Sequence, residues 1–165
     1  MSNDSSSPFR GLGGMKLVLI GYGKMGKAIE EIAVQRGHTI VLTIDQPNLH
    51  EFTRENLARA DAAIEFTGPH SAYENVKACI EWGVPVVSGS TGWTERLEEL
   101  QKKCAEMNGA FAYSSNYSIG VNIFFELNKK LASLMAGHRE YEVLLEETHH
   151  TQKKDAPSGT AISLA

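Results

Sequence analysis

A glycine-rich turn between an apolar strand and an amphipathic helix most constrains how this chain can fold. Residues 16–20 (Lys-Leu-Val-Leu-Ile) form an apolar run typical of a parallel strand that is buried on both faces. The turn Gly21-Tyr22-Gly23-Lys24-Met25-Gly26 follows, and a helix is predicted after it, ending before Gly37. The apolar stripe of that helix is predicted to contain Met25, Ala28, Ile29, Ile32 and Ala33. This order of elements predicts the start of a βαβ unit.

The G-x-G-x-x-G spacing also favours a dinucleotide site. Gly21 permits a tight turn, Gly23 lets the backbone approach a pyrophosphate, and Gly26 lets the helix pack closely on the strand. The helix N-terminus adds free N–H groups and the positive end of a dipole. Asp45 ends the predicted strand 39–44, 19 residues after Gly26, where it can accept hydrogen bonds from ribose hydroxyls. Ordinary structural roles, a plain turn for the glycines and a turn-forming Asp45, remain the alternative.

The strand–helix alternation continues and predicts an α/β fold, a Rossmann-type doubly wound parallel sheet. Further strands are predicted at 62–66, 85–88 and 110–113, and a helix at a Ser71-x-x-Glu74 capping box that closes at Gly83. Another helix is predicted from about Thr94, with the stripe Leu97, Leu100, Cys104 and Met107. The turns after strands three and four are Phe66-Thr67-Gly68-Pro69 and Gly89-Ser90-Thr91-Gly92. They should lie beside the cofactor, unless they are merely compact turns.

The pattern changes near residue 117, which predicts a domain boundary. Residues 1–14 are expected to be an unstructured leader or a cloning remnant, with Met15 as the natural start, and residues 15–117 to form the dinucleotide-binding domain. Residues 118–165 would be the first part of a smaller α+β substrate domain, whose sheet they would leave unfinished. Within it we predict a helix over 121–136, a strand-like segment over 141–147, a polar loop over 149–158 and a new helix from Ser158.

Composition narrows the function classes. The chain has 16 Lys+Arg against 20 Asp+Glu, a net charge of −4, which argues against a general nucleic-acid binder. No apolar run approaches the ~20 residues of a membrane span, and no secretion signal is expected, so a cytoplasmic location is predicted. Cys79 and Cys104 fit two reduced core thiols better than a disulfide framework or a zinc site.

The densest chemistry lies between Glu146 and Ala161. His149, His150, Lys153 and Lys154 are too polar for a core, and imidazoles can act as acids near neutral pH. The loop runs into Ser158-Gly159-Thr160 at a predicted helix start, which is a ready carboxylate site. A solvated basic loop is the alternative. No metal is expected, because adjacent histidines rarely face one ion without further ligands.

Five motifs together resemble the 4-hydroxy-tetrahydrodipicolinate reductase (dihydrodipicolinate reductase) family, from Met15 to Ala165. They are GYGKMG at 21–26, EFTGP at 65–69, SGSTGW at 88–93, SSNYSIGVN at 114–122 and ETHHTQKKDAPSGTA at 147–161. The resemblance implies a reductase of the diaminopimelate route to lysine. It would use NADH or NADPH on a small cyclic imine that carries two carboxylates.

The resemblance also assigns site residues. Cofactor contacts would come from the glycine turn, including Tyr22, Lys24 and Met25, and from Asp45, Phe66 and Thr67. The nicotinamide-side loop would be Gly89, Ser90 and Thr91, and the hinge Ser114, Ser115, Asn116 and Tyr117. His149 would exchange the proton, Lys153 would be a second proton donor, and His150 would contact substrate. Ser158, Gly159 and Thr160 would hold a substrate carboxylate, whereas Gln152 and Lys154 receive no role.

Asp45 beside Gln46-Pro47 supplies no guanidinium for a 2′-phosphate, so NADH is predicted to serve at least as well as NADPH. Chains of the family continue beyond the position of Ala165, and their homotetramer is assembled through the substrate domain's sheet. We therefore expect a fragment that binds dinucleotide but reduces little substrate. A non-catalytic dinucleotide-binding module stays open as an alternative. A Rossmann amino-acid dehydrogenase, such as diaminopimelate or aspartate dehydrogenase, is disfavoured by the His-His…Lys…Ser-Gly-Thr spacing.

Overall fold

In the computed structural model, which describes residues 13–149, 151 and 156–165, the chain forms a five-stranded sheet with strand order β2-β1-β3-β4-β5. The strands are β1 (Lys16–Ile20), β2 (Thr39–Ile44), β3 (Ala62–Glu65), β4 (Val86–Ser88) and β5 (Phe111–Tyr113). Every neighbouring pair is parallel. The predicted Rossmann-type sheet is therefore confirmed.

Helices follow the strands at the predicted places, and one helix that was not predicted, over Arg54–Leu57, precedes β3. They are α1 (Lys24–Gln35), α2 (Arg54–Leu57), α3 (Ala72–Glu81), α4 (Leu97–Glu106), α5 (Ile119–Met135) and α6 (Gly159–Leu164). Two short 3-10 helices cover Gln46–Glu51 and Thr94–Arg96. None of the helices found in the described part of the chain is long and apolar enough to cross a membrane.

The sheet register brings three chain segments to the same level. Ile20 of β1 pairs with Ile44 of β2 on one side and with Glu65 of β3 on the other. The residues that follow these strand ends, Gly21, Asp45 and Phe66, therefore leave the sheet together. Because the chain passes from β2 on one side of β1 to β3 on the other, this edge is the topological switch point, where open α/β sheets bind ligands.

The core lies between the sheet and its covering helices. Val18, Ile20, Ile44, Leu57 and Leu100 are at most 1% exposed. Both cysteines are buried and unpaired by disulfide, and burial, followed by the nearby Glu65 carboxylate, raises the pKa of Cys79 to about 12.

The predicted apolar stripe of α1 is wrong in part. Gly26 and Ala33 are its buried residues, whereas Met25 and Ile32 are 53% and 49% exposed. Gly26 and Ala33 are seven residues apart and so share a face. A methyl group on Gly26 would stand 2.3 Å from the Gly21 carbonyl oxygen, so this small-residue face is the one that approaches the sheet. The neighbouring residues then turn toward solvent.

The capping box at α3 is also wrong. Ser71 precedes Ala72 at the helix start, but its hydroxyl makes no cap hydrogen bond and instead donates to Oγ1 of Thr67 at 2.9 Å. Ser158 does act as a cap, because its Oγ accepts a hydrogen bond from the Ala161 N–H at 3.0 Å.

Residues 141–147 form no strand, contrary to the prediction. Val143 and Leu144 are 91% and 90% exposed, and none of the residues with a described position pairs with this segment. A suitable side-chain pattern does not stabilise a strand without a neighbour that satisfies its backbone groups. The stripe of α4 matches at Leu100 and Cys104, but Met107 lies past the helix and is exposed.

Candidate functional site

The glycine turn after β1 forms the floor of a crevice at the switch point. Gly21 has φ +94°, which favours glycine, and a Cβ there would stand 2.3 Å from the Phe66 carbonyl oxygen. Its N–H donates to the Ile44 carbonyl at 2.8 Å, which ties the turn to β2 as well. Gly23 differs, because nothing lies within 4 Å of a Cβ built on it. The turn is thus rigid on its protein side and open on the other.

The start of α1 has the features of a phosphate site. Gly23 is the N-cap and carries no side chain that could satisfy the first N–H groups of the helix. These donors, together with the positive end of the helix dipole, face the space left open at Gly23. Because Gly23 has no side chain and nothing lies within 4 Å of where one would be, this is the place where a pyrophosphate group could approach the backbone.

Asp45 sits beside this turn in an exposed position. The Asp45 Oδ1 accepts a hydrogen bond from the Gln46 N–H at 2.8 Å, and the Asp45 N–H donates one to Oδ1 of Asn48 at 2.8 Å. The residue therefore caps the 3-10 helix Gln46–Glu51 as well as presenting a carboxylate at the crevice. Both interpretations made from the sequence, the turn former and the ribose acceptor, are compatible with this placement.

The turns after β3 and β4 lie against each other. The Phe66 ring covers Gly89 so closely that a Cβ on Gly89 would stand 2.1 Å from a ring carbon. The hydroxyls of Thr67 and Ser90 both bond to the buried carboxylate of Glu65. They face inward, so these two turns offer mainly backbone groups to a ligand.

The hinge residues 114–117 join this assembly. The Tyr117 hydroxyl donates to the Ser88 carbonyl at 3.0 Å, and its ring centroid lies 6.5 Å from that of Phe66. Burial raises the pKa of Tyr117, so its phenol stays protonated near neutral pH. The Ser114 hydroxyl donates to the Asn116 carbonyl at 2.6 Å, which tightens the turn.

The start of α6 connects the two halves of the site. A Cβ on Gly159 would stand 3.3 Å from Cγ2 of Thr91 and 3.5 Å from Cβ of Ser115. The segment predicted to hold a substrate carboxylate therefore lies beside the loop predicted to face the nicotinamide. The side chain of Ser158 is used by its own helix, which leaves backbone N–H groups and the Thr160 side chain as donors.

Glu147, for which no role was predicted from the sequence, holds the loop that carries His149 in place. Its Oε1 accepts the Ser158 N–H at 2.9 Å, and its Oε2 lies 2.9 Å from Nε2 of His149. The hydrogen bonds from Ser158 and then from His149 lower the pKa of Glu147 to about 2. An ionised carboxylate only accepts hydrogen bonds, so Nε2 of His149 carries the shared proton and Nδ1 is left for other partners.

A cleft of about 180 Å³ collects the residues of this second half, which are Leu145, Glu146, Glu147, His149, Ser158, Thr160, Ala161 and Leu164. His150 and Lys153, predicted for substrate contact and proton donation, lie outside the described residues, as do Gln152 and Lys154. Sequence reasoning missed the roles of Glu147 and Glu65. The signal for Glu147 was its place in the ETHH motif, and the signal for Glu65 was an acidic residue at the end of a buried strand.

Comparison with protein families places both halves of the chain in one group. Residues 15–117 match the family described as "Dihydrodipicolinate reductase, N-terminus", and residues 120–165 match "Dihydrodipicolinate reductase, C-terminus". The 4-hydroxy-tetrahydrodipicolinate reductase of Christiangramia forsetii is 46% identical over 92% of this chain and 62% of its own length. That of Methanobrevibacter smithii is 40% identical over 77% of this chain and 45% of its own length.

Among solved structures, a dipicolinate-bound dihydrodipicolinate reductase from Paenisporosarcina sp. TG-14 superposes with a TM-score of 0.64 and 26% identity. The match covers 92% of this chain and 66% of that one. The chain thus spans between about half and two thirds of the length of these relatives.

Proposed function

The chain belongs to the dihydrodipicolinate reductase family, and from that premise we propose that it carries the cofactor half and the first part of the substrate half of an NAD(P)H-dependent 4-hydroxy-tetrahydrodipicolinate reductase. Residues 15–117 would bind the dinucleotide, and residues 118–165 would begin the substrate domain. The reaction consumes one NAD(P)H and one proton and yields tetrahydrodipicolinate, NAD(P)⁺ and water. It would serve the diaminopimelate route to lysine.

The close approach of Gly159 to Thr91 and Ser115 carries this proposal. It supports a substrate carboxylate and a nicotinamide ring meeting at one place, because the two loops are so close that one added methyl group on Gly159 would touch both Thr91 and Ser115. When bound, NAD(P)H supplies the hydride for a carbon of the substrate ring. The glycine turn and the α1 N-terminus would hold the pyrophosphate, and Asp45 would accept from the adenosine ribose.

The chain's own part in the chemistry is to position charge and deliver a proton. Because Nε2 of His149 is engaged by Glu147, His149 would donate from Nδ1 in its imidazolium form. Backbone N–H groups near Gly159, with the Thr160 hydroxyl, would bind one substrate carboxylate. Lys153 would be the second proton donor and His150 a substrate contact, and the cationic side chain of Lys153 would offset part of the substrate's charge.

Measurements on the 165-residue chain can distinguish cofactor binding from substrate reduction. Isothermal calorimetry should detect NADH binding, whereas NADH oxidation with substrate should be slow, because the chain spans less than two thirds of its relatives. A chain extended to its relatives' length should turn over, and we propose that it forms a homotetramer. Binding without turnover in both lengths would favour the non-catalytic module, and absence of NADH binding would refute the proposal.

Cofactor choice tests the role given to Asp45. We propose that kcat/KM with NADH is at least equal to that with NADPH, because a carboxylate near the ribose 2′ position repels a 2′-phosphate. Asp45→Ala should then improve NADPH relative to NADH. A parent preference for NADPH above about tenfold, roughly 1.4 kcal/mol, would contradict this assignment.

A further inference from the structure

Glu65 is an acidic residue that lies completely buried in the sheet. It ends β3, it is 0% exposed, and none of the ion pairs found among residues 13–149, 151 and 156–165 involves it. Burying a carboxylate costs several kcal/mol unless donors replace its water. The donors that surround Glu65 therefore reveal what it is used for.

All four donors come from the ends of β3 and β4 and the turns that follow them. Oε1 accepts the Thr67 N–H at 2.8 Å, the Thr67 hydroxyl at 2.5 Å and the Ser90 hydroxyl at 2.9 Å. Oε2 accepts the Ser88 hydroxyl at 2.5 Å. A carboxylate has about four acceptor positions, so four donors can replace most of the water that burial removes. One oxygen atom thus ties the turn after β3 to the turn after β4.

The two turns are also fixed on their outer sides. Thr67 Oγ1 accepts from the Ser71 hydroxyl at 2.9 Å, and the Ser90 carbonyl accepts from the Trp93 indole N–H at 2.7 Å. Ser88 in turn accepts the Tyr117 hydroxyl through its carbonyl. Movement of one turn therefore changes the hydrogen bonds of the other through Glu65.

We propose that Glu65 is a positioning residue for the dinucleotide, which holds the turns at 66–69 and 88–92 in one mutual arrangement so that their backbone groups face the crevice together. The proposal rests on the proposed function, because it supposes that these turns line the cofactor site. An apolar residue at this position would fill the same space without the desolvation cost, but it would leave the Thr67 N–H without its acceptor.

Glu65→Gln is the first test, because it keeps the side-chain volume and removes one acceptor oxygen. NADH affinity should fall roughly 5–10-fold by calorimetry, as expected for the loss of about one net hydrogen bond. Without cofactor, amide hydrogen exchange should accelerate in both turns. Glu98→Gln, the same change on the exposed side of α4, should alter neither.

A double-mutant cycle keeps the test decisive if Glu65→Gln does not fold. Thr67→Val and Ser90→Ala each remove one hydroxyl donor to Oε1. Because they share an acceptor, their combined effect on the NADH Kd should depart from the product of the single effects by at least about threefold.

The outcomes distinguish a failure of the role proposed for Glu65 from a failure of the proposed cofactor binding. If the parent binds NADH and either the exchange change stays within one turn or the cycle is additive, the role of Glu65 is overturned and the proposed function survives. If the parent chain binds no NADH, the proposed cofactor function fails first and takes this inference with it.

Discussion

The two halves of the proposed site are held by different means. The cofactor half rests on buried strands, with Val18 and Ala63 fully enclosed and Gly21 locked against Phe66. In the substrate half, no residue of α5 is buried, and Ser158 and Ala161 are the enclosed residues of the α6 region. Core packing therefore fixes the position of the turns that are proposed to bind the cofactor. The position of His149, in contrast, depends on a few hydrogen bonds around Glu147. Substitutions in the two halves should therefore differ in what they change.

The largest effect should come from the sparsely held half. In a chain long enough for turnover, His149→Gln or Lys153→Ala should lower kcat by 10²–10⁴-fold, roughly 3–5 kcal/mol of barrier, because each removes a positioned acid. NADH affinity should stay within about threefold, since neither residue lies at the pyrophosphate turn. Steady-state kinetics beside a cofactor titration measures both.

Two exposed residues of the same half provide matched controls for these variants. His138→Gln and Lys129→Ala make the same chemical changes at exposed positions, each of which forms an ion pair with a surface glutamate. They should leave kcat unchanged. If the site variants behave like these controls, the loop is solvated surface.

Stability should follow the same contrast. Leu100 is 0% exposed and Leu127 is 62% exposed, so the leucine-to-alanine change should cost about 2–5 kcal/mol at Leu100 and within about 0.5 kcal/mol at Leu127. Urea unfolding of both variants checks this difference. Equal costs would mean that α5 is covered in solution, and the contrast between the halves would fail.

Two glycines should separate folding from binding within the cofactor half. Gly23→Ala adds a methyl group into open space at φ −78°, so it should keep the melting temperature but weaken NADH binding by about tenfold or more. Gly26→Ala forces a Cβ toward the Gly21 carbonyl and should also cost about 1–3 kcal/mol of stability. Calorimetry and thermal unfolding measure the pair. Normal NADH binding by Gly23→Ala would remove the pyrophosphate from this turn.

The smallest effect concerns pH. Folding lowers the pKa of Glu147 from 4.5 to about 2, so its stabilisation is fully present above pH 4.5 and is lost as the pH falls toward 2. The melting temperature of the parent should exceed that of Glu147→Gln by a constant amount at higher pH, and the two should converge in acid. Glu126→Gln on α5 should show no such convergence. A pH-independent difference would place the contribution of Glu147 in packing and not in charge.

The sequence sufficed for the sheet because its signals are local. A strand, a glycine turn and a helix follow one another within residues 16–35, and each signal supports the next. It did not suffice for Glu65, whose partners Ser88 and Ser90 lie 23 and 25 residues further along the chain. Nor did it reveal that the Ser71 hydroxyl prefers Thr67 to its own helix. Both depend on how separate turns meet in space.

The central position of β1 also determines when the crevice can form during synthesis. β1 leaves the ribosome before its other strands, yet Leu17 pairs with Ala62, 45 residues later. Parallel pairings across such separations form slowly, because the intervening chain must be ordered first. The glycine turn is therefore translated early but gains its backing at Phe66 late. Until Phe66 has been synthesised and β3 has paired with β1, the segment that should hold the pyrophosphate has no wall behind it.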